Sequence, residues 1–298
     1  MSPLRSWRCV PGSPGGRAAL ARREPIGPLD YTRRLWLRLW LLAVAVFLYA
    51  PIVILVVFSF NDSKRNIVWQ GFTTDYYVKA AANASLIEAF TNSLVIALVS
   101  TVISTIVGAL MALALWRFRF PGKPGLDGAV ALPIVIPEIC MGVALLVFFN
   151  RVGVSAAFGW PFSLLPIIIG HVAFSFPFVC VVVRARMAGF DRSLEEASKD
   201  LGASEWQTFW NVTVPFMKPG LIAGGLLAMT LSLDDFVITF FTAGPGTLTF
   251  PVQVYSMVRF GATPEVNAAS TILIVVTVIL TVIALRLQRP DKEAAKLA

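Results

Sequence analysis

Four ionisable residues lie inside long apolar runs of this chain: Glu138, His171, Asp234 and Asp235. Burying an ionised acid in a bilayer costs about 2.5–3.5 kcal/mol, so such residues usually face a cavity or a partner. Carboxylates that line a cavity attract cations, and no lysine or arginine lies at a comparable depth in these runs. The pattern predicts a translocation path of negative character and a cationic substrate.

Helix geometry places these acids in the middle-to-outer part of the membrane. Glu138 lies about 15 Å from the inner end of its span and Asp234 about 23 Å, at about 1.5 Å per residue. Asp234 and Asp235 point about 100° apart on a continuous helix, so only one of them faces a cavity squarely. Kink-forming residues around Glu138 predict a bent or interrupted helix that widens the path. These residues are Pro133, Pro137 and Gly142.

Each of these residues also has an alternative interpretation. The acids could form a structural ion pair or cap a break in a helix, and His171 could be a core histidine bonded to a neighbouring carbonyl group. A proton relay through His171, Asp234 and Asp235 would instead indicate an ion-coupled secondary transporter. An intramembrane aspartyl protease is disfavoured, because its two carboxylates must face each other whereas adjacent residues on a helix diverge.

The composition indicates a membrane protein. The chain has 57% hydrophobic and 14% charged residues, whereas about a quarter of residues are charged in soluble domains. Six apolar segments are long enough to cross about 30 Å of hydrocarbon. They lie at roughly 38–60, 91–115, 128–149, 164–185, 219–243 and 267–287. The predicted fold class is an all-α membrane protein with six transmembrane helices.

Lysine and arginine residues predict the orientation. Of the 25 in the chain, five fall on one side of the predicted membrane: Lys64, Arg65, Lys79, Arg151 and Arg259. The others fall in the N-terminal segment, the second-to-third connection, the C-terminus and a polar segment at about 187–218, here called the polar loop, with Arg184 and Arg186 immediately before it. Cytoplasmic loops carry an excess of positive charge, so both termini and the polar loop are predicted to be cytoplasmic. The net charge of +8 is therefore a topology signal, and no nucleic-acid partner is expected.

The ends of the chain differ from its middle. Residues 1–34 are rich in Arg, Gly and Pro and are predicted to form a disordered basic cytoplasmic tail. Residues 35–288 form one membrane domain, and 289–298 a C-terminal cytoplasmic tail. The chain has no Gly-x-x-x-x-Gly-Lys-Ser/Thr loop to bind ATP phosphates, and its three cysteines lack metal-site spacing. We therefore expect no catalytic residues, metal or cofactor in this chain.

The polar loop carries dense signals for helix boundaries. Ser193 followed by Glu196 has capping-box spacing, and Ser204 followed by Gln207 repeats it. Gly202 lies between the two, where a helix that ends in a left-handed residue favours glycine. The sequence therefore predicts two short helices joined at Gly202.

Side chains of the two helices separate into faces. Leu194, Ala197 and Leu201 share a face of the first helix, and Trp206, Phe209 and Trp210 form an aromatic face on the second. Glu195 and Lys199 have the spacing of a favourable i,i+4 ion pair. Pro215 is predicted to end the second helix. A loop with this much structure is predicted to bind a partner.

The same loop resembles a known motif. Glu196-Ala197-Ser198, three residues, Gly202, nine residues and then Val212-Thr213-Val214-Pro215 is similar to the EAA loop of bacterial ABC-importer permeases. That pattern is Glu-Ala-Ala, three residues, Gly, nine residues and Ile-x-Leu-Pro, so the departures here are small changes in volume. The resemblance implies that the loop contains a coupling helix that docks into a cytoplasmic ATPase. The docking residues it implies are Glu196, Ala197, Ser198, Gly202 and Pro215.

Three further segments resemble the second permease of spermidine/putrescine importers. They are Ser232-Leu233-Asp234-Asp235-Phe236, the Leu132-Pro133 to Ile136-Pro137-Glu138 run, and Phe250-Pro251-Val252-Gln253-Val254-Tyr255-Ser256. The similarity extends from about residue 36 to 288. It implies the type I ABC-importer permease fold in the inner membrane, with Glu138, His171, Asp234 and Asp235 along the substrate path.

The resemblance also implies an assembly. A homologous permease would complete the path for a polyamine such as putrescine or spermidine. An ATPase dimer would bind ATP and Mg, and a periplasmic binding protein would deliver the substrate. An ABC permease for a different small solute is the alternative within the same class.

Overall fold

The computed structural model describes residues 35–63, 68–152, 164–244, 246–260 and 264–287. Both predicted tails, 1–34 and 289–298, lie outside these residues. Inter-residue contacts divide the chain at Ile54 into two units. Within the described ranges the second unit is helical, and its extended pairing is limited to one bridge between Asn61 and Phe72.

The helices follow the apolar runs, with short helices between them. In chain order they are α1 Leu35–Phe58, α2 Asp75–Ala82, α3 Ala84–Arg117, α4 Lys123–Val135, α5 Glu138–Val152, α6 Leu165–Met187, α7 Ser193–Asp200, α8 Glu205–Thr208, a π-helical turn Phe209–Thr213, α9 Val214–Asp234, α10 Val237–Thr242, α11 Phe250–Phe260 and α12 Pro264–Leu287. Five described helices are long and apolar enough to cross a bilayer, and α4 with α5 makes a sixth when this bent pair is counted as one span. The prediction of six transmembrane helices is confirmed on that count.

The predicted end of the second loop helix at Pro215 is wrong. Helical structure continues from Glu205 through the π turn into α9, which ends at Asp234. The Val214 N–H bonds to the Phe209 carbonyl, five residues back, and this wider turn accommodates a proline that cannot donate a backbone hydrogen bond. The predicted span 219–243 is consequently a longer helix followed by a break and the short α10.

Close packing joins α3, α6 and α9. A Cβ atom at Gly108 of α3 would lie 2.7 Å from Val179 Cβ of α6, and one at Gly224 of α9 would lie 3.0 Å from Val179 Cγ1. Glycine therefore lets both helices approach the same valine. An apolar cluster around Leu86 and Phe250 packs α2, α11 and α12 against the N-terminal end of α3.

Candidate functional site

The third predicted span is broken immediately before Glu138. Ile136 has extended backbone angles, φ −69° and ψ 134°, as expected for a residue that precedes proline. Pro137 lacks the N–H that would continue α4, so α5 begins at Glu138 and the two helices meet at 106°. The predicted interruption is confirmed, and it places the Glu138 carboxyl in the first turn of α5.

The fifth span is broken between its two aspartates. α9 ends at Asp234, and Asp235 is extended, with ψ 127°. The Asp235 carboxylate accepts the backbone N–H of Ile238 at 3.2 Å and of Thr239 at 2.9 Å, so it caps α10. Asp235 is buried, whereas Asp234 is exposed. The helix break thus separates two adjacent acids into different environments.

His171, in the neighbouring helix α6, stabilises this break. Its Nδ1 lies 2.6 Å from Ser232 Oγ of α9, and its Nε2 lies 2.9 Å from Thr239 Oγ1 of α10. The Thr239 hydroxyl donates its hydrogen to Asp235 Oδ2 at 2.9 Å. The Thr239 oxygen must therefore accept from His171, which assigns a hydrogen to Nε2.

His171 is a buried residue with a complete set of polar neighbours. It is 1% exposed, and its partner Ser232 lies 3.0 Å from the Ser100 hydroxyl of α3. These contacts fit the interpretation of a core histidine, with hydroxyl and carboxylate partners in place of a carbonyl group. A place for His171 on a substrate path stays a prediction.

Glu138 lies close to the break between Asp234 and Asp235 in the fifth span. Its half-buried carboxyl lies within electrostatic range of both Asp235 and Asp234. The structure thus brings Glu138, His171, Asp234 and Asp235 together where two interrupted spans meet. Among described residues, the ion pairs formed with lysine or arginine involve none of these acids.

Glycines on two helices allow α10 to pack closely beside the acids. A Cβ atom at Gly142 of α5 would lie 2.7 Å from Phe241 Cδ2, and one at Gly170 of α6 would lie 2.7 Å from Ile238 Cγ2. The sequence suggested Gly142 as part of a kink, but the close approach of Phe241 explains it. Gly170 gave no signal in the sequence, because its partner is distant along the chain.

A cavity lies between α5 and the end of α10. Its lining combines apolar side chains with an amide and a hydroxyl group. The lining residues are Leu146, Phe149, Asn150, Phe241, Thr242, Ala243 and Gly244. A mixed lining of this kind suits a ligand with both apolar and polar parts.

The polar loop forms the predicted pair of helices with one difference in capping. Gly202 has φ 86°, and the Ser204–Gln207 capping box is present, so both of these predictions are confirmed. The predicted Ser193–Glu196 box is wrong. Asp191 Oδ1 accepts the Ser193 N–H at 2.9 Å instead, which makes Ser193 part of the helix and holds the pKa of Asp191 below its ordinary value.

The implied docking residues lie on the surface of the loop, apart from the half-buried Ser198. Glu196 and Ala197 are exposed, Gly202 forms the exposed joint, Ser198 is half-buried, and Pro215 lies in the first turn of α9. The apolar surface around them is exposed, with Leu194 at 49%, Leu201 at 90%, Trp206 at 68% and Trp210 at 51%. An apolar surface of this extent is typical of an interface with another protein.

The predicted ion pair between Glu195 and Lys199 is wrong. Lys199 contacts Glu205 at 2.5 Å, and Glu195 points inward, where its Oε1 lies 3.1 Å from Arg117 Nη1. Arg117 is the last residue of α3, 78 positions earlier in the chain. Only a tertiary contact of this kind decides which of two adjacent glutamates on a short helix is buried.

The broken spans, the acid cluster and the polar loop together are the features of a membrane permease. The chain belongs to the family described as "Binding-protein-dependent transport system inner membrane component", which matches residues 104–290. The helical architecture is that of the permease subunits of ABC importers.

Particular members of the family are similar over most of the chain. The spermidine/putrescine transport system permease protein PotC of Escherichia coli (strain K12) is 42% identical over 250 residues, which is 84% of this chain and 92% of that protein. The putrescine transport system permease protein PotI of the same strain is 41% identical over 249 residues, covering 83% and 88%. Among solved structures, a bacterial ABC transporter that imports the acidic polysaccharide alginate has a TM-score of 0.66 at 19% identity, covering 87% of this chain and 93% of that one. This last likeness shows the fold alone.

Proposed function

We propose that this chain and a homologous permease form the translocation path of an ATP-driven importer for a polyamine such as putrescine or spermidine. The observation that carries the proposal is the cluster of Glu138, Asp234 and Asp235 at the meeting point of two broken spans, with no lysine or arginine paired to it among described residues. The relatives named for polyamine transport, which align over more than four-fifths of the chain, support the same substrate class.

The chemistry of the cluster suits a flexible polycation. A carboxylate about 4 Å from an ammonium group gains about 4 kcal/mol of gross attraction at an effective dielectric constant near 20. Desolvation offsets much of this gain. Conduction needs such modest attraction, because a substrate must enter the path and also leave it. The cavity further along α5 from Glu138, with Phe149 and Phe241 in its lining, offers apolar surface to the methylene segments between amines.

The three acids have different roles in this proposal. Glu138 and Asp234 attract the substrate, since Asp234 is exposed and Glu138 is half-buried. Asp235 and His171 hold the helix break in place from the protein interior. Asp235 would influence transport chiefly through the shape of the break, because its oxygens already accept three hydrogen bonds from α10.

The proposed assembly rests on the polar loop, the charge distribution and the similarity to ABC-importer permeases. Both termini and the loop lie on the cytoplasmic side of the inner membrane, as the excess of lysine and arginine there indicates. The exposed face of α7 and α8 docks one subunit of an ATPase dimer, which binds ATP and Mg. A periplasmic binding protein delivers the substrate on the opposite side.

Uptake by the reconstituted importer tests the proposal. The complex is purified through a tag on this chain, placed in liposomes with ATP inside, and supplied with the binding protein and labelled putrescine or spermidine. Glu138→Gln combined with Asp234→Asn should lower uptake about tenfold or more, since each charge lost removes about 1 kcal/mol of net attraction. Asp75→Asn is the matched control, because Asp75 is an exposed aspartate in the first turn of α2.

Three outcomes would contradict parts of the proposal. Normal polyamine uptake by the double variant would make the acids structural. Uptake of an anion such as molybdate, with none of either polyamine, would assign a different solute. Uptake by this chain alone without ATP would indicate a secondary transporter.

A further inference from the structure

Glu195 is a charged residue that lies buried at the base of the helix bundle. It belongs to α7, is 8% exposed, and points away from the exposed face of that helix. Its Oε1 atom accepts hydrogen bonds from Arg117 Nη1 at 3.1 Å and from Thr213 Oγ1 at 2.8 Å. A buried carboxylate needs such partners, because an unpaired charge in the interior is strongly unfavourable.

The two partners belong to the ends of two long helices. Arg117 is the last residue of α3, and Thr213 is the last residue of the π turn that leads into α9. One carboxylate oxygen therefore joins α7 to the bases of the second and fifth spans. The contact with Thr213 lies in a π turn, and such turns occur frequently at functional sites, where the helix geometry is altered locally.

A second contact keeps the two loop helices together. Ser198 Oγ of α7 lies 3.1 Å from Thr208 Oγ1 of α8, and Thr208 is buried. The loop thus has an inner face of hydrogen bonds and an outer face of exposed apolar side chains. A displacement of the outer face by a bound partner would be carried through the inner face to α3 and α9.

We propose that Glu195 is the positioning residue that couples movement of the docking helix α7 to the second and fifth spans. This inference rests on the proposed docking of an ATPase to the exposed face of α7. Glu196, the neighbouring residue, lies on the outer face and serves the contact with the ATPase. Glu195 connects α7 to the membrane helices, and in this proposal it contacts neither the ATPase nor the substrate.

The test measures substrate transported per ATP hydrolysed, in liposomes that contain equal amounts of assembled importer. Glu195→Gln keeps the shape of the side chain and removes its charge. We expect the ATPase to copurify normally and the ratio to fall about tenfold, the size expected for loss of a charge-assisted hydrogen bond. Glu88→Gln is the control, because Glu88 is exposed near the N-terminal end of α3, the end opposite to Arg117, and lies outside the polar loop. This control should keep the wild-type ratio.

A second substitution separates coupling from folding. Thr213→Val removes only the hydroxyl donor to Glu195, so the ion pair with Arg117 persists, and we expect the ratio to fall about threefold. The charge reversal Arg117→Glu with Glu195→Arg should restore part of the ratio that either single reversal loses. If Glu195→Gln does not assemble, Thr213→Val decides the question.

The outcomes distinguish the inference from the proposed function. A wild-type ratio in both Glu195→Gln and Thr213→Val, with the ATPase bound, overturns the inference and leaves docking intact. A fall of equal size in Glu88→Gln also overturns it, because any loss of an exposed charge would then suffice. An ATPase that fails to copurify with the wild-type chain overturns the docking proposal itself.

Discussion

His171 Nε2 lies 3.1 Å from Asp235 Oδ2, and each side chain is 1% exposed. This contact joins α6 to the residue that caps α10, at the point where the fifth span is interrupted. The Asp235 carboxylate also accepts the backbone N–H groups of Ile238 and Thr239, which would bond to backbone carbonyls four residues earlier in a continuous helix. The break is therefore held by a buried polar network, while the adjacent Asp234 is left exposed.

The first prediction contrasts the two adjacent aspartates. Asp235→Ala removes the α10 cap and leaves His171 without its carboxylate, so we expect a loss of about 3–5 kcal/mol of stability. Asp234→Ala removes an exposed side chain, and we expect a change within about 0.5 kcal/mol. Thermal unfolding of the purified importer in detergent measures both. Equal shifts in the midpoint for the two variants would contradict the assigned roles.

Only part of this site could be predicted from the sequence. Pro133 and Pro137 predict the break before Glu138, because proline interrupts helical hydrogen bonding within its own segment. No proline or glycine beside Asp234 predicts the break that follows it. The available signal is Asp235 itself, a good capping residue four positions before Thr239, and this signal supports a capped break only as one of several alternatives for the acids. The partner that stabilises the break, His171, is 64 positions away.

The second prediction tests the close approach of α10 to α6. In Gly170→Ala the new Cβ atom would lie 2.7 Å from Ile238 Cγ2 and 3.3 Å from Leu145 Cδ1, so neighbouring side chains must move. We expect a loss of about 1–3 kcal/mol, as for other overpacked sites. Gly128→Ala in α4 is the matched control, since nothing lies within 4 Å of its Cβ position. The control should be neutral or stabilising. Unfolding midpoints that coincide for both variants would show that α10 packs differently.

The polar loop was predicted well in its local structure and poorly in its contacts. The helix pair, the Gly202 joint and the second capping box follow from neighbouring residues, so the sequence is sufficient for them. The choice between Glu195 and Glu196 as the buried acid depends on Arg117, and the continuation through Pro215 depends on a π turn. Neither has a short-range signal, because each reflects the packing of the loop against α3 and α9.

The third prediction concerns orientation. The excess of lysine and arginine in the polar loop and near both termini predicts that these segments are cytoplasmic. A reporter enzyme fused to the C-terminus should be active on the cytoplasmic side, and one fused near residue 75 should be active on the periplasmic side. Accessibility of single cysteines introduced at the same positions provides an independent measurement. A periplasmic C-terminus would invert the topology and remove the polar loop from the reach of any ATPase.

The last prediction concerns docking of the ATPase to the polar loop. Gly202→Arg forces a bulky residue into a left-handed conformation, φ 86°, and should disturb the angle between α7 and α8. Glu196→Lys reverses a charge on the exposed face of α7 without changing the buried contacts of Glu195. We expect both variants to insert into the membrane normally, and the amount of copurified ATPase to fall at least about tenfold, a loss of about 1.4 kcal/mol or more of binding energy.

A charge reversal elsewhere supplies the control for this experiment. Glu88 is exposed near the N-terminal end of α3, the end opposite to Arg117, so Glu88→Lys should leave ATPase binding unchanged. Copurification is quantified against the amount of homologous permease retained, which separates loss of docking from loss of the whole complex. Because Gly202→Arg alters the backbone and Glu196→Lys alters only surface charge, a common defect would identify the loop surface as the contact. Full retention of the ATPase by both variants would place its binding site elsewhere on the chain.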